Sequence, residues 1–125
     1  LAKGLADMGV LTVSAEESLK PEVGLHRRWT LHGVSHHLGL DVHDCAQARK
    51  DQYLDAPLRE GMVLTVEPGL YIQPDDELFA PEYRGIGIRI EDDVVVTADG
   101  CRNISENIPR HPDEIEKWMK SVLGR

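Results

Sequence analysis

His32-Gly33-Val34-Ser35-His36-His37-Leu38-Gly39-Leu40-Asp41-Val42-His43-Asp44 is the stretch on which the reading of this chain turns. Four of the six histidines fall within it, interleaved with Asp41 and Asp44. Leu38, Leu40 and Val42 alternate with other residues, so part of the stretch is expected to run as a strand with one apolar face. Gly33 and Gly39 allow tight bends or close approach of backbone to a ligand. Imidazole is the commonest metal ligand and the side chain most readily used as an acid or base near neutral pH. A metal site, an acid–base site and a polar surface strand all fit the cluster taken alone.

Working outward, the segment before it, Leu25 to Leu31, places Trp29 and Leu31 in alternation with polar neighbours, as a half-buried strand does. His26 lies here with no partner visible in the sequence and is read as structural or exposed. Further upstream, Leu1, Leu5 and Met8 have helical spacing, with Gly9 as a stop. Ser14 and Glu17 have the spacing of a capping box for a second short helix, which Pro21 ends. Neither helix carries chemistry.

Downstream, residues 45–61 read as a loop or irregular crossing that ends in a turn at Glu60-Gly61. Met62 to Val66 is a near-continuous apolar run, the pattern of a strand buried on both faces. Glu67 follows, directly before Pro68-Gly69. It is either a buried carboxylate that needs a partner, a proton or a metal, or a turn residue that reaches solvent. Residues 73–84, with two prolines and several acids, read as a surface loop. Ile86, Ile88 and Ile90 then alternate strictly. On one continuous strand this puts Gly85, Gly87, Arg89 and Glu91 together on the opposite face, either as the floor of a site or as a solvated Arg–Glu pair. Asp99-Gly100 predicts a hairpin. From Pro112 a helix is expected, with Asp113, Glu114 and Glu116 at its positive end. Its apolar face, Ile115, Met119 and Val122 or Leu123 with Trp118 adjoining, is expected to pack on the sheet.

The composition, with 41% hydrophobic and 29% charged residues, is that of one ordinary globular domain. A net charge of −8 argues against nucleic acid as a partner. No apolar run reaches the length of a membrane span, and no signal peptide is visible. Two cysteines are too few for a disulfide framework, so a cytoplasmic setting is expected. The first residue is Leu rather than Met and lies within a predicted helix, so the chain reads as a piece of a longer protein.

His36, Glu67 and Glu91 each lie in or beside a predicted strand, at intervals of 31 and 24 residues. One imidazole with carboxylates is a hard, oxygen-rich donor set suited to manganese, magnesium, iron or cobalt, and less exclusively to zinc. A glutamate can bridge two such ions.

Three segments, HGVSHHLGLDVHD, GMVLTVEPGLYI and YRGIGIRIEDDVVVT, together resemble the pita-bread metallopeptidases, and within them the Xaa-Pro aminopeptidases more than the Xaa-Pro dipeptidases. The resemblance extends over about residues 1 to 119, with the motifs in the family's order. It implies an α+β fold, the C-terminal half of a pita-bread domain, in which residues 1–125 form an antiparallel sheet with flanking helices. It implies hydrolysis of the bond between an N-terminal residue and a following proline, by attack of a metal-bridging hydroxide. The cofactor would be two divalent ions, manganese first, with cobalt or zinc as alternatives. His36 and Glu67 would bind metal, Glu67 also taking part in proton transfer, and Glu91 would bridge both ions. His32 and His43 would line the substrate pocket and assist catalysis, and Arg89 would support substrate binding. His37 stands where relatives often have an aromatic residue and is expected at the pocket rim or in packing. Partners would be peptides with proline second, and further copies of the full-length protein; neither nucleic acid nor membrane is expected. An Xaa-Pro dipeptidase and a non-catalytic pita-bread binding protein are the alternatives. Retention of all three ligands that the chain could contain favours an enzyme.

The family's pattern also has two aspartate ligands before the histidine motif, and this chain offers only Asp7, in a predicted helix. The 125 residues alone should therefore bind metal weakly and show little or no peptidase activity. Measurable cleavage of an Xaa-Pro peptide by the purified 125-residue chain would overturn that expectation.

Overall fold

A computed structural model describes residues 1–45, 50–53 and 55–124. The chain forms two compact units, one of Leu1–Val34 with Glu67–Arg89, the other of Ser35–Val66 with Ile90–Arg125.

The first unit begins with helix α1 (Ala2–Asp7), after which Gly9 takes a left-handed conformation at φ 73°. Helix α2 (Ala15–Leu19) starts where the sequence places it, and the Glu17 amide donates to the Ser14 hydroxyl at 3.1 Å. The expected strand over 25–31 is instead a 3-10 helix, Leu25–Arg28. Gly24 opens it at φ 56°, and the His26 amide donates to the Ser18 hydroxyl at 2.9 Å, with the ring Nδ1 2.9 Å from the Ser18 carbonyl. These bonds curl the backbone where two alternating apolar residues alone signalled extension. They also make His26 structural, as expected. A two-stranded antiparallel sheet follows, β2 (Gly69–Tyr71) against β3 (Gly87–Arg89), with Tyr71 opposite Gly87.

Leu5, Leu11, Trp29, Ile72 and Phe79 form the core of this unit, with Trp29 and Phe79 edge to face at 5.7 Å. The 73–84 segment is therefore more than a surface loop. Phe79 is buried, and Asp76 is only 1% exposed. The Trp29 indole N–H donates to Asp76 Oδ2 at 2.6 Å, Arg28 donates to both carboxylate oxygens at 3.1 and 3.3 Å, and the Leu78 amide donates at 3.0 Å. A buried carboxylate demands such partners.

In the second unit the sheet order is β1-β4-β5, all antiparallel: β1 (Val63–Val66), β4 (Asp92–Thr97) and β5 (Gly100–Asn103). The β4–β5 hairpin turns at Ala98-Asp99, as Asp99-Gly100 signalled. The expectation that β1 is buried on both faces fails: only Thr65 is buried, and Val66 is exposed. β1 is an edge strand, paired with β4 on one side and approached on the other by the histidine stretch. That stretch is not the regular strand expected of it. It contributes a single bridge, His37 to Leu64, and then turns, the Gly39 amide donating to the Asp41 carbonyl at 3.2 Å and the Asp44 amide to His37 at 3.1 Å. Leu40 and Val42 consequently stand in solvent rather than on an apolar face.

The 85–96 segment is not one strand. β3 ends at Arg89 and β4 begins at Asp92, in different sheets and different units. Arg89 and Glu91 therefore do not share a strand face, and Ile86, Ile88 and Ile90 are exposed. Switching sheets is a long-range choice that an unbroken alternation conceals. The loop expected over 45–61 includes a short helix, α3 (Lys50–Tyr53); residues 46–49 and 54 of it lie outside the described residues. Helix α4 (Pro112–Leu123) is capped by Gly124 at φ 63°. Its apolar face does not pack on the sheet: Trp118 is 56% exposed, and Met119, Val122 and Leu123 are exposed too. No helix of the described residues is long and apolar enough to cross a membrane.

Asp76 links stability to pH. The Arg28 hydrogen bond holds its carboxyl below the ordinary aspartate value, with Trp29 and the Leu78 amide adding to it against the cost of burial. As pH falls, the unfolded state takes up the proton first. The contribution is thus complete above about pH 4 and is lost as pH drops through the lower folded-state value. Asp76→Ala strands a buried indole N–H and should cost about 2–3 kcal/mol at neutral pH. Urea unfolding of wild type and variant from pH 7 to pH 2.5 should show that gap shrinking only below about pH 4.

Candidate metal centre and substrate pocket

The predicted site residues divide between the units. His32, Glu67 and Arg89 belong to the first, and His36, His43 and Glu91 to the second.

In the first unit Glu67 is buried, 8% exposed, so it is not a turn residue in solvent. Its amide donates to the Val34 carbonyl at 2.8 Å, and its carboxylate lies 3.8 Å from the Arg89 guanidinium. The cation offsets the cost of burying the carboxylate's charge. Glu67 lies between β1 and β2, and Arg89 ends β3, so the pair joins two separate stretches of the unit. His32 is held at both ring nitrogens, with Nδ1 2.6 Å from the Gly33 carbonyl and Nε2 2.7 Å from the Tyr71 hydroxyl. Tyr71 was not singled out from sequence. Gly87, read as leaving a site floor open, instead accommodates the Tyr71 ring: a Cβ there would lie 2.9 Å from Tyr71 Cδ1.

In the second unit Thr65 fixes the backbone of His36. The Thr65 amide donates to the His36 carbonyl at 2.9 Å, and the His36 amide donates to the buried Thr65 hydroxyl at 3.1 Å. Thr65 was also missed; a threonine inside an apolar run gives no sign that its hydroxyl serves the backbone of a neighbouring segment. The His36 ring has Nδ1 3.0 Å from the His37 carbonyl. A carbonyl only accepts, so Nδ1 carries the proton, and Nε2 is the nitrogen with the lone pair that a metal requires. His43 meets this ring edge to face at 4.5 Å and is itself exposed. His37 packs against Tyr53, rings 4.9 Å apart, and its carbonyl accepts from His36 and Asp44. That is a packing role, in keeping with its exclusion from the ligands. Glu91 is exposed. Just after it, hydrogen bonds from Asn103 and Ser105, with Arg110 alongside, hold the Asp92 carboxyl below the ordinary range. Gly39 makes room for a side chain rather than for a ligand: a Cβ would overlap the Asp44 carboxylate.

Each unit carries donors of the kind a hard divalent cation takes: a buried glutamate beside an arginine in the first, and an imidazole and a glutamate in the second. Among the described residues, no three His, Cys, Asp or Glu side chains converge as a metal-binding group.

Comparison with known proteins defines the class. Residues 4–98 match the model of metallopeptidase family M24, and the chain belongs to that family. Xaa-Pro aminopeptidase 1 of Streptomyces coelicolor is 57% identical over 124 residues, 99% of this chain but 25% of the relative. Aminopeptidase P from Escherichia coli with the inhibitor Pro-Leu superposes with a TM-score of 0.81 at 44% identity, covering 99% of this chain and 27% of that one. A zinc-substituted form of the E. coli enzyme in complex with product gives 0.81 at 46% identity, with the same coverage. The chain spans about a quarter of the length of the curated relatives it matches. Its α+β architecture of antiparallel sheets with helices is part of the pita-bread fold of those enzymes.

Because Gly39 has no room for a Cβ, Gly39→Ala should push the Asp44 carboxylate aside and cost about 1–3 kcal/mol. Chemical denaturation of the variant against wild type measures this, and unchanged stability would contradict the packing described.

Proposed function

We propose that this chain forms part of a dinuclear-metal aminopeptidase that hydrolyses the bond between an N-terminal residue and a following proline. The observation that carries the reading is the tautomer of His36: its Nδ1–H is committed to a backbone carbonyl, so in the neutral ring Nε2 keeps the lone pair that a metal ligand needs. Membership of the M24 metallopeptidases supports it, as does the 57% identity to an Xaa-Pro aminopeptidase, from which the proline preference is taken.

His36, Glu67 and Glu91 would hold divalent ions, manganese in the first instance, with the family's two aspartate ligands coming from sequence outside these 125 residues. When bound, such ions lower the pKa of a water and polarise the scissile carbonyl. The chain's own residues supply the surroundings. Glu67, buried beside Arg89, would accept and pass on a proton. Arg89 lies beside that carboxylate and would add positive charge for a peptide. His32 and His43 would hold the peptide and stabilise charge developing on the carbonyl oxygen.

The natural full-length protein, reconstituted with manganese, should cleave Xaa-Pro-Xaa tripeptides faster than Xaa-Pro dipeptides. The reverse order would make it a dipeptidase, and absence of turnover with manganese, cobalt and zinc would contradict the enzymatic reading. His36→Ala should lower activity at least about 100-fold, and an unaffected variant would remove His36 from the ligand set.

A further inference from the structure

We propose that Ser105 and Arg110 clasp Asp92 and so position Glu91, its neighbour in sequence, for the metal site proposed above. The inference rests on that reading for its metal-binding consequence, though not for the clasp itself. Glu91 immediately precedes β4, and Asp92 is the first residue of that strand. Three contacts converge on the first two residues of β4. The Ser105 hydroxyl donates to Asp92 Oδ1 at 2.8 Å, and the Arg110 guanidinium donates to the same oxygen. The Asp93 amide donates to Ser105 Oγ at 3.0 Å. One hydroxyl thus holds two consecutive residues, the first by its side chain and the second by its backbone.

Ser105 is itself fixed. Its amide donates to Asn103 Oδ1 at 2.8 Å, and its carbonyl accepts from Arg110 at 3.1 Å and from the Ile108 amide at 3.0 Å. Arg110, in the segment between β5 and α4, therefore closes the clasp by gripping both of its members. The sheet supplies the other support. Asp92 and Asp93 stand opposite Val66 and Thr65 in the β1–β4 register, and Thr65 holds the His36 backbone through its amide and its hydroxyl. The backbone of His36 and the residue next to Glu91 are thus referred to the same pair of strands. A partly exposed ion pair by itself contributes little to stability. What sets this one apart is its place, one peptide link or about 3.8 Å along the backbone from Glu91. A small displacement there would carry the glutamate out of coordinating geometry.

Arg110→Gln removes the charge and Ser105→Ala removes the hydroxyl, and neither residue is a ligand or a substrate contact in this reading. In the natural full-length protein, titration with manganese should show the weaker-bound ion held about 10-fold less tightly in each variant. For an Xaa-Pro-Xaa peptide kcat should fall about 10-fold, with KM within about twofold of wild type. Electron paramagnetic resonance at equal manganese should show the coupled two-ion spectrum of the wild type giving way to that of single ions. Hydrogen exchange of the metal-free protein gives a readout independent of metal and activity. The Asp93 amide should exchange about 10-fold faster in both variants, while the Tyr71 amide keeps its wild-type rate. Lys120→Gln, which removes an ion pair with Glu116 elsewhere in the unit, should match wild type in every measurement. Folded variants with wild-type manganese affinity, or with an unchanged Asp93 amide, would overturn the proposal. Should the wild type bind no manganese, the functional reading fails, and exchange at the Asp93 amide alone decides whether the clasp holds this segment.

Discussion

Asp76, a carboxylate with almost no exposure, ties the first unit together. It draws in Arg28 and the Trp29 indole from far upstream in the sequence and the Leu78 amide from its own turn. Trp29, fixed in this way at the centre of the apolar core, offers its carbonyl to Tyr71, and Tyr71 in turn holds His32. A chain of hydrogen bonds therefore runs from a buried structural anion to a side chain expected to touch substrate. Each link is short and directional, so an error at the anion would be felt at the imidazole.

The second unit uses another device. It has few fully buried side chains among the described residues, and the backbone of its histidine stretch is pinned to an edge strand through the Thr65 amide and hydroxyl. This leaves the His36 ring to be oriented by its neighbour's carbonyl, which selects the tautomer. Two histidines four residues apart, His32 and His36, thus each have Nδ1 engaged by a backbone carbonyl, and His32 Nε2 meets the Tyr71 hydroxyl.

What could be read from the sequence was local. Ser14 and Glu17 cap a helix, Asp99-Gly100 turns a hairpin, and Pro112 opens the last helix, since each signal acts within a few residues. The three site motifs were legible because their residue types are costly to place without a purpose. Long-range choices were hidden. The alternation from Ile86 to Ile90 gives no sign that the chain changes sheets after Arg89, and nothing in Asp75-Asp76-Glu77 says which acid is buried. Tyr71 was overlooked because a tyrosine in a strand is ordinary; only its register opposite Gly87 gives it meaning. The apolar face of α4 was expected to pack on the sheet, and its Trp118, Met119, Val122 and Leu123 are exposed, as are Ile86, Ile88 and Ile90.

The proposed function assigns His36, through Nε2, and the carboxylates of Glu67 and Glu91 as ligands of divalent metal. Anomalous diffraction at the manganese edge, from crystals of the manganese-loaded full-length protein, tests it most directly. The account predicts anomalous density in coordination contact with His36 Nε2 and with the carboxylates of Glu67 and Glu91. Density bound through His36 Nδ1, or placed away from these three side chains, would contradict it.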